Sequence, residues 1–100
     1  MSALTKLAKG KRCSIRLPGC DGGGETTVAA HYRSQRLGAG MGIKPSDLLV
    51  AWACHSCHDA VDSRRFLNLH SRDMVRLAHA EGVLETIAHL LAEGKLTWSR

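Results

Sequence analysis

One hundred residues are enough for one domain with a modest core and too few for two. The chain is 44% hydrophobic but only 4% aromatic, so its core must rest on Leu, Val, Ile and Ala, and a core of that kind at this size gains from a staple such as a structural metal. The formal net charge of +5 is unevenly placed, and no apolar run approaches the length of a membrane span.

Residues 1–44 carry eight basic side chains (Lys6, Lys9, Lys11, Arg12, Arg16, Arg33, Arg36 and Lys44) against Asp21 and Glu25, whereas residues 45–100 carry six basic and seven acidic ones. A basic half of this kind suits a polyanion such as nucleic acid, whose phosphates are neutralised without any reading of sequence. It also suits a merely solubilising surface, and charge alone does not separate the two. Met1–Gly10 has basic residues but neither an apolar run nor a small-residue cleavage site after them. The expectation is a reducing cytoplasm, where four cysteines hold metal more readily than they form disulfides.

In chain order, Ala3–Lys9 reads as a short basic helix ended by Gly10, and Lys11–Gly24 as a loop containing Pro18-Gly19 and three consecutive glycines. Thr26–Tyr32 (TTVAAHY) is rich in β-branched residues and predicts a strand. Arg33–Ser46 is a basic, glycine-containing loop, and Asp47–Ala53 (DLLVAWA) predicts a second, more buried strand. The two strands would pair as a hairpin with a long connection, and long connections in small domains often carry function. From Cys54 or His55 the pattern turns helical to about Arg65. Met74, Leu77, Ala78, Leu84, Ile87, Ala88 and Leu91 then recur at three- and four-residue spacing, which predicts an amphipathic helix over about 71–93. Ser71 is its expected N-cap and Gly94 its stop, and Gly82 costs about 1 kcal/mol relative to Ala in its middle. This apolar face would pack on the rest of the domain or pair two copies of the chain. The expected architecture is a single α+β domain over residues 1–100, with a ββα core over about 26–65.

Four cysteines flank the hairpin. Cys54 and Cys57 have the two-residue gap of a metal knuckle, which lets two thiolates face one tetrahedral ion. Cys13 and Cys20 have six residues between them, and Pro18-Gly19 lets the loop between them fold back. If the strands are antiparallel, the start of the first lies beside the end of the second, so all four cysteines converge on one structural zinc site. The segment Cys54-His55-Ser56-Cys57-His58 also matches a C-x-x-C-H haem attachment pattern. That reading needs export, for which there is no signal, and leaves Cys13 and Cys20 unexplained.

With the thiolates assigned to zinc, His58 and Asp62 remain, at i and i+4 on one helix face and able to share an ion. Asp59 points about a quarter-turn away and could instead cap the helix N-terminus, and His55 would be exposed or donate to a ligand. His31 stands near the end of the first strand. His70, His79 and His89 have no cysteine or carboxylate pattern around them and read as surface or interface residues.

A strand histidine, a loop, a second strand and a helix bearing metal ligands resemble the ββα-metal, or HNH, nucleases. The residues carrying the resemblance are Ala30-His31, Leu48–Cys54 and the segment CHSCHDAVD. Across nearly the full length the chain is similar to the YbcO-like proteins, a group of small prophage-encoded proteins classed as nucleases. The matching stretches are Arg12-Cys13, Leu17-Pro18-Gly19, Glu25-Thr26, Ala30-His31, Gly42–Leu48 and Cys57-His58-Asp59 with Asp62.

The resemblance implies His31 as general base, a role suited to an imidazole with an ordinary pKa of about 6.5. It implies His58 as ligand of a catalytic magnesium or manganese ion with Asp62 as its partner, and Arg33, Arg36 and Lys44 as phosphate contacts on DNA. Two positions depart from the family pattern. Ala30 stands where an acidic ligand often precedes the base, and no asparagine lies between His31 and His58; Asp47 falls roughly where that asparagine would and is the candidate to orient His31. The expected function is a metal-dependent DNA endonuclease of phage DNA processing. The alternative is a zinc-stapled nucleic-acid-binding module without chemistry.

Overall fold

The computed structural model describes residues 3–32, 48–62 and 71–96. They contain a short helix α1 (Ala3–Lys6), strands β1 (Val28–His31) and β2 (Val50–Ala53), helix α2 (His55–Asp62) and a long helix α3 (Arg72–Ala92). The result is a small α+β fold in which a two-stranded hairpin is covered by α2 and α3. The strands are antiparallel, with Val28 opposite Ala53 and His31 opposite Val50. The Tyr32 N–H extends the ladder by donating to Leu49 O at 2.8 Å.

β1 is shorter than the run of β-branched residues suggests, and Thr27 shows why. Its hydroxyl donates to Lys11 O and accepts from the Gly24 N–H, both at 2.7 Å, so it fastens the preceding loop instead of a second strand. β2 likewise begins at Val50, after a turn at Leu48 and Leu49. α1 ends at Lys6, before the expected Lys9, in a turn that reaches Gly10 at φ +86°. There the Gly10 N–H donates to Gly24 O at 2.9 Å, joining the first turn to the glycine run.

One core cluster gathers Cys13, Ile15 and Leu17 of the N-terminal loop, Ala30, Ala51 and Ala53 of the hairpin, Cys54, Cys57 and Ala60 around α2, and Val75 and Val83 of α3. A second lies around Trp52, with Ala8 and Leu90. The alanines make the hairpin's inner face low, and that decides how α3 docks.

α3 starts and stops as its sequence predicts. The Ser71 hydroxyl accepts from the Met74 N–H at 3.0 Å, and Gly94 at φ +73° ends the helix, with the Lys95 and Leu96 N–H groups closing on Leu90 O. The helix runs unbroken through Gly82. Its docked face is not the expected one. The buried residues are Val75, His79, Gly82, Val83, Thr86 and Leu90, joined by partly buried Ala78 and Ile87, while Met74, Leu77, Leu84 and Leu91 are exposed and so is Ala88.

The physical reason is close approach. A Cβ on Gly82 would stand 3.1 Å from Ala51 Cβ, Ile15 Cγ1 and Ser14 O alike, so the helix backbone lies almost against the hairpin and leucines do not fit there. Hydrogen bonds fill the same seam. The Ser14 hydroxyl lies 3.1 Å from Trp52 O, 3.0 Å from Gly82 O and 3.0 Å from Thr86 Oγ1, and the Trp52 N–H donates to Thr86 Oγ1 at 3.1 Å. Among the described residues no helix is long and apolar enough to cross a membrane.

Candidate metal centre and active site

The loop from Lys11 to Thr27 is shaped to present sulfur. Gly23, at φ +87°, sits where a Cβ would come within 2.6 Å of the Cys13 nitrogen and of Thr27 Oγ1, so only glycine lets the two limbs of the loop cross there. They are joined by an isolated bridge between Arg12 and Gly23 and by the bond from the Cys13 N–H to Gly22 O at 3.1 Å. The Cys20 N–H donates to Leu17 O at 2.9 Å, folding Pro18-Gly19 back as expected. Arg16, in the left-handed region at φ 56°, completes a turn whose backbone N–H groups point at the Cys13 sulfur.

All four thiols meet. The sulfurs of Cys13, Cys20, Cys54 and Cys57 lie within 4.8 Å of one another, with Cys54 Sγ and Cys20 Sγ 3.8 Å apart, and none is in a disulfide. A tetrahedral zinc at about 2.3 Å from each sulfur sets neighbouring sulfurs about 3.8 Å apart, so the group could hold a metal ion such as zinc. Backbone donors are in place for thiolates: the Cys57 N–H donates to Cys54 Sγ and the Gly22 N–H to Cys20 Sγ, both at 3.3 Å. The Cys57 thiol, donating to Cys13 and helped by backbone N–H groups, holds the Cys13 thiol down at about 4. The same bond and burial push Cys57 up, and burial raises Cys20. Metal binding to such a group takes thiolates and releases protons, so the bonds that favour the Cys13 thiolate also favour the ion. The grouping also accounts for Cys13 and Cys20, which a haem attachment at Cys54 and Cys57 would not.

The same two cysteines begin α2. Cys54 precedes its first residue and the His58 N–H donates to Cys54 O at 2.8 Å, so the knuckle turn runs directly into the helix. One turn on, His58 Nε2 lies 3.0 Å from Asp62 Oδ2, the shared-face pair that the spacing predicts. Both are partly solvent-accessible. His55 is exposed and stands 3.6 Å from Asp59; Asp59 lies in the second turn, past the position of a helix cap.

His31 is the last residue of β1, half-buried, with α2 packed on the same strand. Arg33, Arg36, Lys44 and Asp47 lie outside the described residues, as does His70.

His79 is where reading the sequence failed outright. It is buried, its Nε2 is 2.9 Å from Ala30 O, and its ring meets Tyr32 edge to face with centroids 5.2 Å apart. His89, by contrast, is exposed as expected and stacks on Trp52. The one signal for His79 is its register with Val75, Gly82, Val83 and Thr86, visible only once that stripe is known to be the buried one. An open cleft of about 540 Å³ lies between the N-terminal loop and the C-terminal half of α3, lined by Lys11, Arg12, Arg16, Trp52, Glu85, His89 and Glu93 among others. Its cations are partly spent on Lys11–Glu93 and Arg16–Glu85 pairs.

Comparison with known proteins places this arrangement. A family model described as "Putative nuclease YbcO" matches residues 2–95. The chain is 48% identical over 65 residues to "Putative nuclease YbcO" of Escherichia coli (strain K12), covering 64% of this chain and 67% of that protein. The same figures hold for "Putative nuclease ybcO" of Enterobacteria phage 82. A solved structure, "Structure of a putative bacteriophage protein from Escherichia coli str. K-12 substr. MG1655", is similar at a TM-score of 0.74 and 35% identity, covering 91% of this chain and 99% of that one. Matched in sequence over almost its whole length and in fold over nine-tenths of it, this four-cysteine hairpin protein belongs to the family described as "Putative nuclease YbcO".

Proposed function

We propose that the protein is a metal-dependent endonuclease of the ββα-metal (HNH) kind that hydrolyses phosphodiester bonds of DNA in phage or prophage DNA processing, inside the bacterial cytoplasm. The observation that carries this reading is the pairing of His58 with Asp62, 3.0 Å apart, on a helix whose first turn is fixed by the cysteine group and which packs on the strand bearing His31.

Each residue then has a distinct task. Cys13, Cys20, Cys54 and Cys57 hold a structural zinc. His58 and Asp62 offer one nitrogen and one oxygen on a solvent-accessible face, a donor set that suits a divalent ion retaining most of its waters. A magnesium or manganese ion held there would supply charge stabilisation at the scissile phosphate. His31 takes the proton of the attacking water, and Arg33, Arg36 and Lys44 hold the phosphate backbone without reading bases. A homodimer, which would cut both strands, would meet through the exposed Met74, Leu77, Leu84 and Leu91 of α3.

Incubating the zinc-loaded protein with supercoiled plasmid and magnesium or manganese tests the reading. Wild type is expected to nick, and His31→Ala to lose the activity by a factor of about 10² or more with its fold and zinc intact. No nicking by wild type would favour the binding module without chemistry, and unchanged nicking by the variant would remove His31 from the role.

A further inference from the structure

We infer that His79 is a positioning residue of the candidate nuclease site: with Arg76 it clamps both sequence neighbours of His31 and thereby fixes where that imidazole points. The inference rests on His31 being the base.

The clamp is built from three contacts. A buried imidazole is costly unless a partner satisfies it, and His79 finds its partner in the carbonyl of Ala30, 2.9 Å from Nε2. A carbonyl only accepts, so Nε2 carries the proton. That carbonyl belongs to the peptide whose N–H is His31's own, so the bond holds the peptide plane leading into the base. On the far side of His31, the Tyr32 ring meets the His79 ring in a T-shaped contact. Arg76, one turn before His79 on α3, lies 4.8 Å over the same ring and donates to the Tyr32 hydroxyl at 3.0 Å.

Ala30 and Tyr32 are thus both held from α3, one on each side of His31 in the chain. Gripping residues 30 and 32 fixes the backbone of residue 31 without touching its ring. The charges of Asp62 and His58 on α2 and of Arg76 on α3 also reach His79. A leucine at position 79 would fill the space and provide no grip.

The test compares His79→Leu, His79→Gln and Arg76→Met with wild type in the zinc-loaded protein. It reads kcat and KM for nicking of a plasmid with manganese, and the His31 ring resonances by NMR. Because small displacements of a reacting group are expensive, His79→Leu is expected to lower kcat by about tenfold or more with KM unchanged. His79→Gln, which can still donate to Ala30 O, should recover most of that loss. Arg76→Met, on the surface and safe for folding, should give a smaller loss of kcat, about threefold, and carries the test if His79→Leu does not fold.

The His31 resonances should shift in His79→Leu and return towards wild type in His79→Gln. If the resonances and kcat stay at wild-type values in folded His79→Leu, or in Arg76→Met where that variant carries the test, the clamp is overturned. If the resonances move as expected while His31→Ala still nicks, the clamp stands and the base assignment is what fails.

Discussion

α2 and α3 hold the same hairpin by opposite means. α2 has eight residues and buries only Cys57 and Ala60, far too little apolar area to order a helix on its own. Its start is instead built into the four-cysteine group, which could hold a metal ion. α3 has 21 residues and needs no such anchor, yet its docked face mixes a glycine, a threonine and a histidine with Val75, Val83 and Leu90 and leaves three leucines in solvent. The short helix begins at the four-cysteine group, which would fix it by ligation when it holds a metal. A helix that must lie almost against the hairpin is fixed by small side chains and hydrogen bonds.

The largest effect should come from removing the first anchor. Chelation, or Cys57→Ala, is expected to melt α2 and much of the hairpin, because structural zinc contributes on the order of 10 kcal/mol in small domains. Loss of helical circular dichroism that returns with added zinc would confirm it, and a chelated protein with an unchanged melting temperature would not fit.

Next comes the second anchor. Gly82→Ala gains about 1 kcal/mol of helix propensity, but its Cβ meets three atoms at 3.1 Å, one on the hairpin and two in the N-terminal loop. Overpacking of this kind costs about 1–3 kcal/mol, and thermal unfolding should show a net loss of stability. Thr86→Val leaves the buried Trp52 N–H without its partner and should cost about 1–2 kcal/mol, with zinc content unaffected.

Smaller still is a pH effect confined to α3. Burial pushes His79 below its ordinary 6.5, against a hydrogen bond to Ala30 and the charge of Asp62 that act to raise it, while Arg76 and His58 lower it. The unfolded chain therefore binds a proton first as pH falls. This contribution to stability is complete above about 6.5 and declines on acidification towards the lower folded value. Melting temperatures at pH 7.5 and 5.5 should differ less in His79→Gln than in wild type. Least of all should Leu84→Gln matter, within about 0.5 kcal/mol, since its side chain is exposed.

What the sequence disclosed and what it concealed follow the same division. The cysteine pairs, the antiparallel hairpin between them, the His58–Asp62 pair, the Ser71 cap and the Gly94 stop were legible because each depends on spacing or on one residue's local chemistry. The docked face of α3 was not. Periodicity ranks side chains by apolarity, whereas this face was chosen by the low surface opposite it, where Ala51 and Ser14 admit Gly82 and Thr86 and exclude leucine. His79 was concealed for the same reason, because an imidazole is recognised as buried only when its acceptor, Ala30 O, is known.

The central claim is that the segment Cys54–Asp62 serves two sites that can be separated. The most direct measurement is zinc content together with plasmid nicking in His58→Ala. One zinc per chain with nicking abolished is the expected result; loss of zinc, or nicking at the wild-type rate, would contradict it.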